Sequence, residues 1–166
     1  MENMFKIEKK AFILILLCAV SFIFTALGTG GNAWVRQELK RQDGSQVTVR
    51  GLWKYCSTTC LSYTVTSSYL MACRALTVIS SICSFVALCL SVVGHASHIK
   101  PYLLPVATMG SVVSMFIAIL VYISKNIWIS FLYTSYGWTF IIAWLAIVLN
   151  LLTAIVSLIF TRQQES

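Results

Sequence analysis

The charged residues of this chain are bunched, and between the bunches lie four uncharged, mostly apolar runs at residues 11–35, 75–99, 101–124 and 126–161. A membrane-spanning helix needs about 20 such residues, so each run is long enough to cross a bilayer. Only 10% of the 166 residues are charged, against roughly 25% in ordinary soluble domains, which leaves too few polar side chains to cover a water-soluble globule. Lys6, Lys9 and Lys10 ahead of the apolar stretch also fit the start of a cleaved signal peptide. The stretch continues through Phe24 and Leu27, beyond a signal core, and is read as a span. The fourth run is too long for one helix and too short for two. The expected spans are therefore residues 11–31, 72–93, 102–124 and 138–160 of a single four-span domain. Between them lie a polar segment at 32–69, a short loop at 94–101 and an aromatic, nearly uncharged loop at 125–137. Pro101 and Pro105 suit the start of the third helix, where the missing backbone donor is not needed.

An even number of spans puts both termini on one side. With the termini in the cytoplasm, the inner basic residues are Lys6, Lys9, Lys10, Lys100 and Arg162, and the outer ones Arg36, Lys40, Arg41, Arg50, Lys54, Arg74 and Lys125. Raw counting of positive charge favours the opposite orientation. Against it stand the basic flank of the first helix and the pair Cys56 and Cys60 in the longest polar loop, which suits an oxidising compartment. The expected orientation has cytoplasmic termini, with 94–101 inside and 32–69 and 125–137 outside.

Residues 34–41 and 46–55 flank the turn signal Asp43-Gly44, and Gln46-Val47-Thr48-Val49-Arg50 alternates polar with apolar side chains, the pattern of a β-hairpin lying on the membrane surface. A further strand is expected at 61–65. A disulfide between Cys56 and Cys60 would clamp the strand ends, shaping the segment more than stabilising it because the closed loop is short. The other reading is two free thiols near a strand end.

Trp34, Gly51-Leu52-Trp53, Cys56 and Cys60, placed between the first and second of four spans, resemble the W-GLW-C-C signature of the claudin superfamily. That superfamily takes in claudins, peripheral myelin protein, epithelial membrane proteins and lens fibre membrane intrinsic protein. Gly51-Leu52-Trp53-Lys54-Tyr55-Cys56 is most similar to the myelin, epithelial and lens branch. Arg74-Ala75-Leu76 opening the second span, and Gly137-Trp138 through Trp144 entering the fourth, also resemble the family. The resemblance implies a membrane four-helix bundle, all-α within the bilayer, capped by a small extracellular antiparallel β-sheet, with Trp34 and Trp53 where sheet meets bilayer. Interfacial anchoring alone would account for both tryptophans, and a hydrogen bond to loop carbonyls would account for an arginine at the position of Arg74.

The departures shape the functional expectation. The cysteines are closer together than in claudins, the residues ending at Ser166 include no apolar terminus of the kind claudins present to PDZ scaffolds, there is no Asn-x-Ser/Thr site, and Leu61-Ser62-Tyr63-Thr64-Val65 is uncharged where claudin pores carry charge. In the adopted orientation the outer face holds seven basic residues against Glu38 and Asp43, a net of +5, and the inner face five against Glu2, Glu8 and Glu165, a net of +2. Arg36, Lys40, Arg41, Arg50 and Lys54 are thus candidates for meeting an acidic partner, with a merely solvated loop as the plainer reading. Trp128, Phe131 and Tyr133 in the second outer loop are further candidate contact residues.

Within the spans, Gly110, Ser114 and Ala118, with Ala107 and Ser111 alongside, let helix backbones approach closely. Cys18, Cys73 and Cys83 read as apolar fillers, and Cys89 as a lipidation candidate. His95 and His98 have no third ligand nearby, no acidic residue lies in a span, and no nucleophile has a base beside it, so no catalysis, metal or cofactor is expected. The partners implied are membrane lipids, the chain itself or related four-span proteins in the same or an apposed membrane, or a larger membrane complex, with no nucleic acid. The expected function is membrane adhesion or organisation at plasma-membrane cell contacts through the outer sheet. The alternatives are an auxiliary subunit of a channel or receptor and a claudin-like paracellular barrier or pore.

Overall fold

The computed structural model describes residues 2–41, 44–64, 66–96, 102–126 and 134–165. Four long helices carry the apolar runs: α1 (Glu2–Gly30), α2 (Ser68–Ala96), α3 (Leu103–Asn126) and α4 (Trp138–Glu165). Each contains a stretch long and apolar enough to cross a membrane, namely Ala11–Gly30, Ser68–Gly94, Leu103–Lys125 and Trp138–Arg162. Their ends follow from local chemistry. The Gly31 amide donates back to the Leu27 carbonyl and closes the last turn of α1, and the Ser67 carbonyl accepts from the Leu70 and Met71 amides to open α2. Pro105 falls in the first turn of α3, where its missing N–H leaves no bond unmade.

The helices pack as a ring, α1 on α2, α2 on α3, α3 on α4 and α4 on α1. Large apolar side chains such as Phe12, Leu16, Ile82, Val106 and Leu152 lie on the outside, and the interior holds small ones such as Ala118, Ala143, Ala146 and Ala154. This inversion of a soluble core is what lipid favours, since tails solvate large side chains and small ones let backbones close up. A Cβ built on Gly28 would stand 3.2 Å from the Ala143 Cα, marking the close approach of α1 and α4. Gly110 lies beside the Cys83 sulfur and the Ala118 carbonyl accepts from the Cys73 thiol, so the small residues of α3 pack within the bundle, against α2.

A column of buried hydroxyls runs through this interior and ties all four helices. Asn150 on α4 is 2% exposed; its Nδ2 donates to Thr25 Oγ1 on α1 at 3.1 Å, and its Oδ1 accepts from Ser84 Oγ on α2 at 3.0 Å. Ser84 Oγ lies 2.7 Å from Ser111 Oγ on α3, and Ser80 Oγ donates to the Ser111 carbonyl. Ser21 meets Thr153, and Thr29 meets Ser81, above and below this centre. With no water available in a bilayer core, such groups must satisfy one another. Asn150→Leu is expected to lower stability by about 1–2 kcal/mol, the upper part of the range for interhelical hydrogen bonds in membranes. The check is the temperature at which the buried thiols Cys18 and Cys73 become reactive in detergent.

Five strands form one antiparallel sheet in the order β4-β3-β2-β1-β5, with β1 (Val35–Arg41), β2 (Gly44–Arg50), β3 (Lys54–Cys56), β4 (Cys60–Ser62) and β5 (Thr134–Tyr136). Three details differ from the sequence reading, the first being that the further strand expected at 61–65 is the shorter β4, Cys60–Ser62. Gly51-Leu52-Trp53 interrupts the expected second strand, because the Gly51 amide donates to the Lys54 carbonyl and turns the chain into β3. The second loop, expected to hold no strand, contributes β5, which pairs with β1 through Val35↔Tyr136, Arg36↔Ser135 and Gln37↔Thr134. Both connections between helices on this end of the bundle therefore share one sheet. The turn residue Asp43 lies outside the described residues.

Candidate functional site

The sheet is seated on the bundle through the residues that carry the sequence signature. Backbone carbonyls at the end of a helix lack partners in the helix itself, and the two tryptophans supply them to α1. Trp34 Nε1 donates to the Gly28 carbonyl at 3.2 Å and Trp53 Nε1 to the Thr29 carbonyl at 2.7 Å. Trp34 is fully buried, its rings 4.9 Å from Tyr122 and 5.9 Å from Phe140, and so packs against protein instead of lipid. Trp53 is 37% exposed at the rim. Leu52 is fully buried, and its carbonyl accepts from Arg74 Nε at 2.7 Å. The Arg74 guanidinium lies over the rings of Trp53 and Tyr63, at 5.1 and 5.5 Å.

Cys56 and Cys60 form a disulfide across the β3–β4 hairpin, where they are directly paired. Tyr63 anchors the chain beyond it by donating its hydroxyl to the Gly51 carbonyl. Burial pushes the Tyr63 phenol above its ordinary pKa, and the charges of Arg50 and Arg74 pull it partly back.

Pleating divides the candidate basic residues between two faces. Val35 and Gln37 are buried against the bundle while Arg36 is exposed, so the pairings Arg36↔Val49, Val49↔Cys56 and Val35↔Arg50 put Arg36 and Lys54 on the distal face and Arg50 on the bundle-facing one. Arg36 is paired with Glu38 at 3.3 Å, an exposed ion pair that contributes little to stability. Lys40 and Arg41 pair through the backbone with Ser45 and Gly44 near the hairpin tip. Trp128, Phe131 and Tyr133 lie outside the described residues. Cys89 is exposed on α2. Among the described residues no group of three His, Cys, Asp or Glu side chains converges as a metal site would.

Sequence reasoning missed the polar column, although Ser21, Thr25 and Thr29 recur every fourth residue and Asn150 and Thr153 stand one turn apart in otherwise apolar helices. That spacing is the signal, since it sets each row on one helix face. The aromatic ladder Tyr136, Phe140 and Trp144, with Phe116 across on α3, was also missed. Its rings touch in sequence at 4.3, 6.5 and 6.0 Å, tying β5 to the faces of α3 and α4.

Four apolar helices closed by a sheet drawn from both loops at one end define a multi-pass membrane protein. Its sequence matches the PMP-22/EMP/MP20/Claudin family over residues 9–157, and the chain belongs to that family. It is similar to the lens fiber membrane intrinsic protein of Bos taurus, 25% identical over 163 residues that cover 90% of this chain and 91% of that protein. The fold is that of the claudin-like proteins, and the family is one of non-enzymatic membrane proteins.

Proposed function

We propose that this protein organises or joins membranes at cell contacts of the plasma membrane, acting through the distal face of its sheet. The observation that carries the reading is the placement of Arg36 and Lys54, exposed and on the same face, on a sheet that two tryptophan caps hold to the bundle and a disulfide clamps at its β3–β4 hairpin. A rigid basic surface suits an anionic one, either headgroups of an apposed membrane or an acidic surface protein. Lys40, Arg41, Trp128, Phe131 and Tyr133 are further proposed contact residues. The disulfide supports an extracellular sheet, because such bonds persist in oxidising compartments, and with four spans the termini are then cytoplasmic. Self-association fits the free edge of β4, whose three residues are all exposed. Cys89 is the proposed lipidation site on the opposite side.

Proteoliposomes carrying the protein are expected to cluster with protein-free vesicles that contain an anionic lipid, and less with purely phosphatidylcholine vesicles. Clustering should weaken with salt and in the double variant Arg36→Glu, Lys54→Glu. Equal clustering with neutral and anionic targets would overturn the reading, and co-purification with one larger complex at fixed stoichiometry would favour an auxiliary-subunit role instead.

A further inference from the structure

Arg74 enters a span with no acid to balance it. It lies six residues past Ser68, the first residue of α2, about 9 Å along the helix, and is half-buried. A guanidinium has five N–H donors. The Nε–H is used by the Leu52 carbonyl, whereas the four Nη–H groups meet no acceptor among the described residues. Only one ion pair is formed among those residues, between Arg36 and Glu38.

Arg50 lies near Tyr63, as Arg74 does: it precedes Gly51, whose carbonyl accepts the Tyr63 hydroxyl, and it pairs across the sheet with Tyr55, whose ring is 5.4 Å from that of Tyr63. It sits on the bundle-facing side of β2 and is exposed. Its charge acts on the hydroxyl of Tyr63, as does that of Arg74. Two cations acting on one side chain repel each other, and neither forms an ion pair among the described residues. Arg74 stands where α2 emerges toward the sheet, with Val78 and Ile82 exposed one and two turns further down the helix.

We propose that Arg50 and Arg74 hold the phosphodiester of a phospholipid in the leaflet on the sheet side. Trp53 and Tyr63 hold the Arg74 guanidinium in place, and its Nη–H groups pair with two phosphate oxygens. Arg50 approaches the same phosphate from the sheet above, and the acyl chains descend along Val78 and Ile82. The site faces the protein's own bilayer and is separate from the distal surface proposed above.

The test uses the full-length protein in nanodiscs made of phosphatidylcholine and monogalactosyldiacylglycerol, which lacks phosphate, with the lipid retained after release measured by native mass spectrometry. The wild type is expected to retain phosphatidylcholine over the glycolipid, and Arg50→Gln to reduce that preference about fivefold. Arg36→Gln on the distal face should leave it unchanged. Arg74→Gln also deletes the bond to Leu52 and so can disturb the fold. The Arg50 side chain makes no hydrogen bond among the described residues, which lets Arg50→Gln carry the test once Cys18 and Cys73 are shown to stay protected. Equal retention of the two lipids by the wild type, an unchanged preference in Arg50→Gln, or displacement of the lipid by excess inorganic phosphate would each overturn the assignment.

Discussion

Trp34→Ala is expected to be among the most damaging single changes in this chain, loosening the sheet from the helices and lowering stability by about 3–5 kcal/mol, the usual range for emptying a buried aromatic site. Trp34 is 0% exposed and joins five elements at one point. Its indole caps α1 at Gly28 and packs on Tyr122 of α3 and Phe140 of α4. Its amide donates to the Arg50 carbonyl at the end of β2, and its carbonyl accepts from the Gly137 amide just after β5. The truncation leaves a cavity that those elements cannot all close and leaves the Gly28 carbonyl without its donor. Trp34→Phe separates the two effects, because it keeps most of the volume and loses only the hydrogen bond, about 1 kcal/mol. The thermal exposure of the thiols of Cys18 and Cys73 reports helix unfolding, and the reducibility of Cys56–Cys60 reports the sheet. If Trp34→Ala unfolds within a few degrees of the wild type by both measures, the residue is a lipid anchor and the capping account is wrong.

The parts of the fold legible from sequence are those that a single segment specifies. Four spans follow from where charge is absent, and the sheet's first hairpin from the alternation at Gln46 to Arg50. The strand Thr134–Tyr136 was not legible, because three residues carry no period of their own; it exists because β1 offers an unpaired edge and the start of α4 fixes the chain beside it. The polar column was missed for a related reason. Asn150 alone in an apolar run reads as an outlier, and its partners Thr25 and Ser84 lie 125 and 66 residues away. For the basic residues, composition supplied the charge but not the face. Only the strand register shows that Arg50 is turned from Arg36 and Lys54 and toward the bundle. Trp34 and Trp53 look alike as interfacial residues in the sequence, and the structure gives them successive carbonyls of one helix end, with one ring inside the protein and the other at its rim.

Gly51→Ala and Gly137→Ala are expected to be nearly as damaging as Trp34→Ala, for a reason of close approach. The two glycines bracket the link between α1 and β1. A Cβ on Gly51 would stand 2.6 Å from the Cα, carbonyl carbon and oxygen of Asn32, and one on Gly137 would run into the carbonyl of Ala33. These are backbone atoms, which have no rotamer to retreat into. The link itself is held by the bond from the Thr139 amide to the Ala33 carbonyl and by that from the Ala33 amide to Thr139 Oγ1. Relieving the clash must therefore move β1, and with it the Trp34 caps on which the sheet rests. Overpacking a fixed interior costs about 1–3 kcal/mol, and clashes with immobile backbone belong at the upper end. Gly30→Ala is the control, since a Cβ there meets nothing within 4 Å; it should be nearly neutral even though it lies within two residues of the same link. A thermal midpoint for Gly51→Ala or Gly137→Ala no lower than that for Gly30→Ala would show that the link yields freely, and would remove the rigid seat from which the proposed adhesive face derives its fixed orientation.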